Sequence, residues 1–94
     1  MTDAKASETW TSDAVIAVIR DLAGKGDLPD YLSDGEITGN DTVDSLGIDS
    51  IGGVYLIERL EELTGILMPD DFVELKFTVA ELAERLNRLV EEQD

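Results

Sequence analysis

A carboxylate and a hydroxyl stand side by side where a helical stretch begins: Asp49 and Ser50, in the segment GIDSIGGV that fills residues 47–54. Aspartate is a favoured N-cap residue, and here its carboxylate would accept a hydrogen bond from the N–H of Ile51 or Gly52, contributing about 1 kcal/mol. By residue type alone, a serine that opens a helix reads as part of the cap. The chain has no cysteine and no histidine. A thiolate nucleophile, an imidazole-based triad, a disulfide framework and a Cys/His zinc site are therefore excluded. Its acids offer general acid/base pairs in principle, yet nothing sharpens a nucleophile, and a domain this small has little room for a preorganised pocket. No stretch supplies D-x-[DN]-x-[DN]-G with the closing glutamate of a calcium loop.

The elements that must hold Asp49 and Ser50 in place are legible from apolar spacing. Val15, Val18, Ile19 and Leu22 form one stripe in TWTSDAVIAVIRDLA, which predicts a first amphipathic helix over about 9–23 with Thr11, Ser12 and Asp13 as cap candidates. A long connection follows, holding five of the eight glycines. Its scattered Leu28, Leu32, Ile37, Val43 and Leu46 predict that it packs on the core, and its length points to function at its C-terminal end. From Ser50 to about Thr64, Leu56, Ile57, Leu60 and Leu63 make a core stripe with Gly53 on the same side, and Gly65 provides the stop. MPDDFVEL permits a short helix begun by Pro69. Thr78 and Glu81 form a T-x-x-E capping box, after which Val79, Leu82, Ala83, Leu86, Leu89 and Val90 continue at helical spacing to about Glu91. The fold class predicted is all-α, a four-helix bundle of three long helices and one short. Residues 1–8 read as a flexible N-terminus, 9–91 as the domain and 92–94 as a tail.

Ninety-four residues with 43% apolar composition suit one small domain with its own core. Seven basic residues against 22 acidic ones leave a formal charge of −15. Such a surface repels nucleic acid and anionic membranes and attracts partners lined with lysine and arginine. No apolar run approaches the roughly 20 residues that span a bilayer, and MTDAKASETW has no apolar signal core. A cytoplasmic monomer that binds neither nucleic acid nor membrane is the expectation. On a helical wheel, Ile51, Val54 and Tyr55 fall opposite the core stripe among Glu58, Glu61 and Glu62, which is either a docking face or an ordinary surface with scattered apolar groups.

Leu46-Gly47-Ile48-Asp49-Ser50-Ile51 resembles the L-G-x-D-S-[LI] motif of the acyl and peptidyl carrier proteins of fatty-acid, polyketide and nonribosomal peptide synthesis. The likeness runs over roughly residues 10–90, with L-E-E-L-T-G-I, P-D-D-F and T-V-A-E-L-A-E-R-L at matching spacing. It implies that a phosphopantetheinyl transferase moves 4′-phosphopantetheine from coenzyme A onto Ser50, that the arm's thiol carries an acyl or aminoacyl thioester, and that the chain has no catalysis of its own. The missing cysteine fits, since the working thiol would arrive with the arm. By the same resemblance Asp49 contributes to recognition by the transferase. Ile51, Gly52, Val54, Tyr55, Glu58 and Glu62 would meet partner enzymes, with the acids steering encounter.

Many fatty-acid carriers continue from the serine as L-D-x-V-E-L, with acids where this chain has Gly52 and Tyr55. That departure favours a free-standing carrier of a specialised pathway of polyketide or nonribosomal peptide type, such as antibiotic biosynthesis. An adenylating ligase or an acyltransferase would load it, and a downstream synthase would take the cargo. The reading set against it is an unmodified acidic adaptor that binds a basic partner through helix 50–64. The paired glycines have two readings of their own. Gly53 either widens a cargo cleft or serves packing, and Gly52, at the edge of the outer face, either lets a partner or the arm approach the backbone or is incidental.

Overall fold

Thr11 sets where the first helix begins. Its backbone is extended and its Oγ1 accepts the Ala14 N–H at 3.1 Å, so α1 runs over Ser12–Gly24, a few residues later than the periodicity suggests. The structure, a computed structural model, describes residues 9–69 and 71–92. The segment 1–8 read as a flexible N-terminus, Asp70, and residues 93–94 of the expected tail lie outside them. Helix α2 spans Ser50–Thr64 and closes at Gly65 in a left-handed conformation (φ +74°), as predicted. Helix α3 spans Val79–Glu92. Its capping box is reciprocal: the Thr78 N–H donates to Glu81 Oε1 at 2.8 Å, and the Glu81 N–H donates to Thr78 Oγ1 at 3.1 Å.

Val15 and Ile19 of α1, Leu56 and Leu60 of α2, and Leu82 and Leu86 of α3 are fully buried against one another. Each such side chain contributes roughly 1.5–3 kcal/mol by leaving water. Leu63 departs from the predicted stripe and stays 47% exposed. It borders an open hollow lined also by Trp10, Ile66 and Val90, and no side chain among the described residues closes over it. Ile57 is half-buried on the rim of the core.

The long connection packs as expected: Leu28, Leu32, Ile37, Val43 and Leu46 are all buried. It contains two 3-10 turns, Asp30–Ser33 and Asp44–Leu46. The all-α reading therefore holds, with three helices plus these 3-10 turns and no strand among the described residues. The short helix expected from Pro69 does not form among the residues described there, and the Phe72 N–H closes only a single turn on Pro69 O. The Val43 and Asp44 N–H groups take the carbonyls of Phe77 and Leu75 at 2.9 and 2.8 Å, and an isolated antiparallel bridge joins Thr42 to Thr78. These bonds tie the segment after Phe72 to the long connection as extended chain.

Two further ties close the frame. Arg20 of α1 donates through Nη1 to the carbonyls of Leu32 and Gly35, at 3.2 and 2.9 Å, and so holds the first half of the connection. The Asn87 amide of α3 accepts from the Trp10 N–H at 2.7 Å and donates to Trp10 O at 2.8 Å, which fastens the start of the chain to its last helix.

Candidate functional site

Ser50 lies at the open start of α2, exposed, just past the second 3-10 turn. That turn ends at Gly47, whose φ of +84° swings the chain toward the helix. Ile48 is buried and anchors the short crossing, and Asp49 takes the N-cap. Its Oδ1 accepts the Gly52 N–H at 2.8 Å, one of the two partners the sequence allowed, while its carbonyl receives the first helical bond, from the Gly53 N–H at 2.8 Å. Asp49 thus turns its carboxylate back over the first turn. Among the described residues the Ser50 and Ile51 N–H groups and the Ser50 hydroxyl have no partner. An exposed hydroxyl beside free N–H groups at the positive end of a helix suits an attached phosphate.

An open hollow of about 420 Å³ adjoins this point, walled by residues 26–30 on one side and by residues 47–49, 51 and 52 on the other. Leu28 of the first wall and Tyr31, the residue that follows that wall in the chain, seat on glycines of the second. Leu28 covers Gly52, where an added Cβ would lie 2.9 Å from Leu28 Cδ2 and 3.0 Å from Ile48 Cγ2. Tyr31 covers Gly47, and its hydroxyl donates to Leu46 O at 2.6 Å.

This seating corrects the expected position of Gly52. A wheel of α2 alone puts it at the edge of the outer face, but it is buried because Leu28, from a distant stretch of chain, comes down over it. Gly52, expected among the partner-binding residues, is thus not part of the exposed outer face. Gly53 faces the core as predicted, with Val73 Cγ1 as the nearest neighbour of an added Cβ, at 3.9 Å. That is ordinary contact, so Gly53→Ala should raise stability by about 0.5–1 kcal/mol through helix propensity. Urea denaturation measures it, and a loss of stability would show that the gap beside Val73 is needed.

The outer face is as the wheel drew it. Ile51, Val54 and Tyr55 are 65%, 51% and 40% exposed, and Glu58 and Glu62 are exposed beside them. Glu62 Oε1 pairs with Arg59 Nη1 at 2.9 Å, an exposed link of small energetic weight. Glu61 instead accepts the Met68 N–H at 2.8 Å and secures the chain beyond the helix. Sequence reasoning missed Tyr31 and Leu28 at this site. Their only signal was a Leu and a Tyr three apart in a glycine-rich connection.

No helix among the described residues is long and apolar enough to cross a membrane, and none of their acids cluster as a metal site. No curated protein and no solved structure matches the chain. The family model described as phosphopantetheine attachment site matches residues 13–86, from the first turn of α1 to the middle of α3 and across the whole Ser50 region. With most of its length under that model, the chain belongs to the phosphopantetheine attachment family, whose members bear a covalent 4′-phosphopantetheine.

Proposed function

We propose that residues 9–91 form a carrier domain that bears its arm on Ser50, holds an acyl or aminoacyl intermediate as a thioester, and hands it to partner enzymes of a polyketide or nonribosomal peptide type pathway. The observation that carries the reading is the exposed hydroxyl of Ser50 at a helix start, where neither it nor the N–H groups of Ser50 and Ile51 have a partner among the described residues. Ser50 Oγ forms a bond to the pantetheine-side phosphorus of coenzyme A, the diphosphate P–O bond breaks, 3′,5′-ADP departs, and the serine proton passes to a base of the transferase. Once attached, the arm supplies the thiol on which the cargo is carried.

The chain's own residues do the rest without catalysing anything. Asp49 fixes the helix start and offers the transferase a carboxylate at the rim. Ile51, Val54 and Tyr55 give partner enzymes an apolar patch, while Glu58 and Glu62 draw basic surfaces toward it and act more on encounter rate than on affinity. The absence of acids at Gly52 and Tyr55 favours an adenylating ligase or an acyltransferase of a specialised pathway, followed by a synthase, in the cytoplasm.

Intact mass after incubation with coenzyme A and a broad-specificity phosphopantetheinyl transferase tests the proposal. The native chain should gain the mass of one arm, and Ser50→Ala should gain nothing. No gain on either chain would leave an unmodified adaptor that docks through α2; a gain on both would move the attachment to another residue.

A further inference from the structure

Tyr31 is an exposed tyrosine, 57% accessible, yet its hydroxyl turns inward and donates to Leu46 O at 2.6 Å. That carbonyl ends the second 3-10 turn. The ring tip lies over Gly47, where a Cβ would fall on the hydroxyl oxygen and 3.3 Å from Cζ. Tyrosine and glycine are therefore fitted to each other. Between Leu46 and the first bond of α2 the chain is held by the buried Ile48 side chain and two backbone bonds, Gly47 N–H to Asp44 O at 3.0 Å and Ile48 N–H to Val43 O at 3.2 Å, and the Leu46 carbonyl has Tyr31 as its partner. The Asp30–Ser33 turn that carries Tyr31 is itself held, because Leu32 and Gly35 give their carbonyls to Arg20.

We infer that Tyr31 is a positioning residue for Ser50: through the Leu46 carbonyl, its hydroxyl keeps the 46–49 turn in the conformation that presents the serine. The inference rests on Ser50 being the attachment site. A turn released from this tie visits other conformations, and a partner enzyme then meets the competent one only part of the time. Apparent affinity falls by the fraction lost, and turnover of the bound complex is unchanged because the contacts made once bound are the same.

Tyr31→Phe keeps the ring on Gly47 and removes the bond. Because one such hydrogen bond is a modest interaction, the transferase KM for the carrier should rise about three- to tenfold, with kcat within about twofold of native. Amide hydrogen exchange gives a second measurement that needs no enzyme. Exchange at Gly47 and Ile48 should quicken severalfold while the Leu56 and Leu82 amides keep their native rates. An unchanged KM for the variant overturns the inference, as does faster exchange spread evenly over the core, which would mean a general loss of stability. A native chain that takes no arm would overturn the Ser50 reading and the loading effect with it, while the exchange pattern would still decide whether Tyr31 holds the turn.

Discussion

Gly47→Ala should lower the stability of the domain by about 2–3 kcal/mol, from the left-handed backbone and the lost tyrosine bond together. At φ +84° an alanine Cβ crowds the backbone, and here it also falls on the Tyr31 hydroxyl. The tyrosine must swing out, abandoning Leu46 O. In a domain of this size that corresponds to a melting midpoint about 10–20 °C lower. A double-mutant cycle separates the two causes. In a Tyr31→Phe background there is no bond left to lose, so Gly47→Ala should cost about 1 kcal/mol less than in the native chain. Equal costs in the two backgrounds would show that the alanine methyl leaves the bond from Tyr31 to Leu46 O intact.

Gly52→Asp should cost about 2–4 kcal/mol, even though an acid at this position is common among fatty-acid carriers. Two opposing effects set the sign. Replacing a helical glycine recovers up to about 1 kcal/mol of propensity, and an acid in a first turn is favoured by the macrodipole. Against this, the Cβ meets Leu28 Cδ2 and Ile48 Cγ2 at 2.9 and 3.0 Å, and the new carboxylate is driven into a buried space with Asp49 Oδ1 3.5 Å from its Cβ. Overpacking and a buried, unpaired acid outweigh propensity. Gly52→Ala, which adds only the Cβ, should lie near neutrality, so urea denaturation of the two variants isolates the carboxylate. A Gly52→Asp chain as stable as the native one would mean that Leu28 is free to leave its seat.

The helices were readable because their signals are local. The Thr78–Glu81 box, the Gly65 stop and the Leu56–Leu60 spacing each lie within one element, and each appears where the sequence placed it. What the sequence concealed is whatever one segment does to another. The wheel could not know that Leu28 would cover Gly52, that no neighbour among the described residues would close over Leu63, or that Leu75 and Phe77 would give their carbonyls to Asp44 and Val43. Arg20, Tyr31 and Asn87 show the same limit. Each bonds a backbone group twelve or more residues away, and a polar side chain gives no periodic sign of such a partner. At the candidate site, Ser50 and its Asp49 cap stood out through motif and helix start, while the residues that steady them did not.

The clamp between Trp10 and Asn87 bears on how the domain would respond to being pulled. Trp10, Leu63 and Val90 line one hollow, so the start of α1 and the end of α3 lie at the same pole of the bundle. Ser50 sits at the opposite end of α2, roughly 20 Å away at 1.5 Å per residue. Tension on either terminal segment is borne by the Asn87 amide and its two bonds to Trp10 before it reaches α1. The pole that bears Ser50 then carries no load. A pull at the opposite pole is met there, by the clamp, and leaves the turn that presents Ser50 in its resting shape.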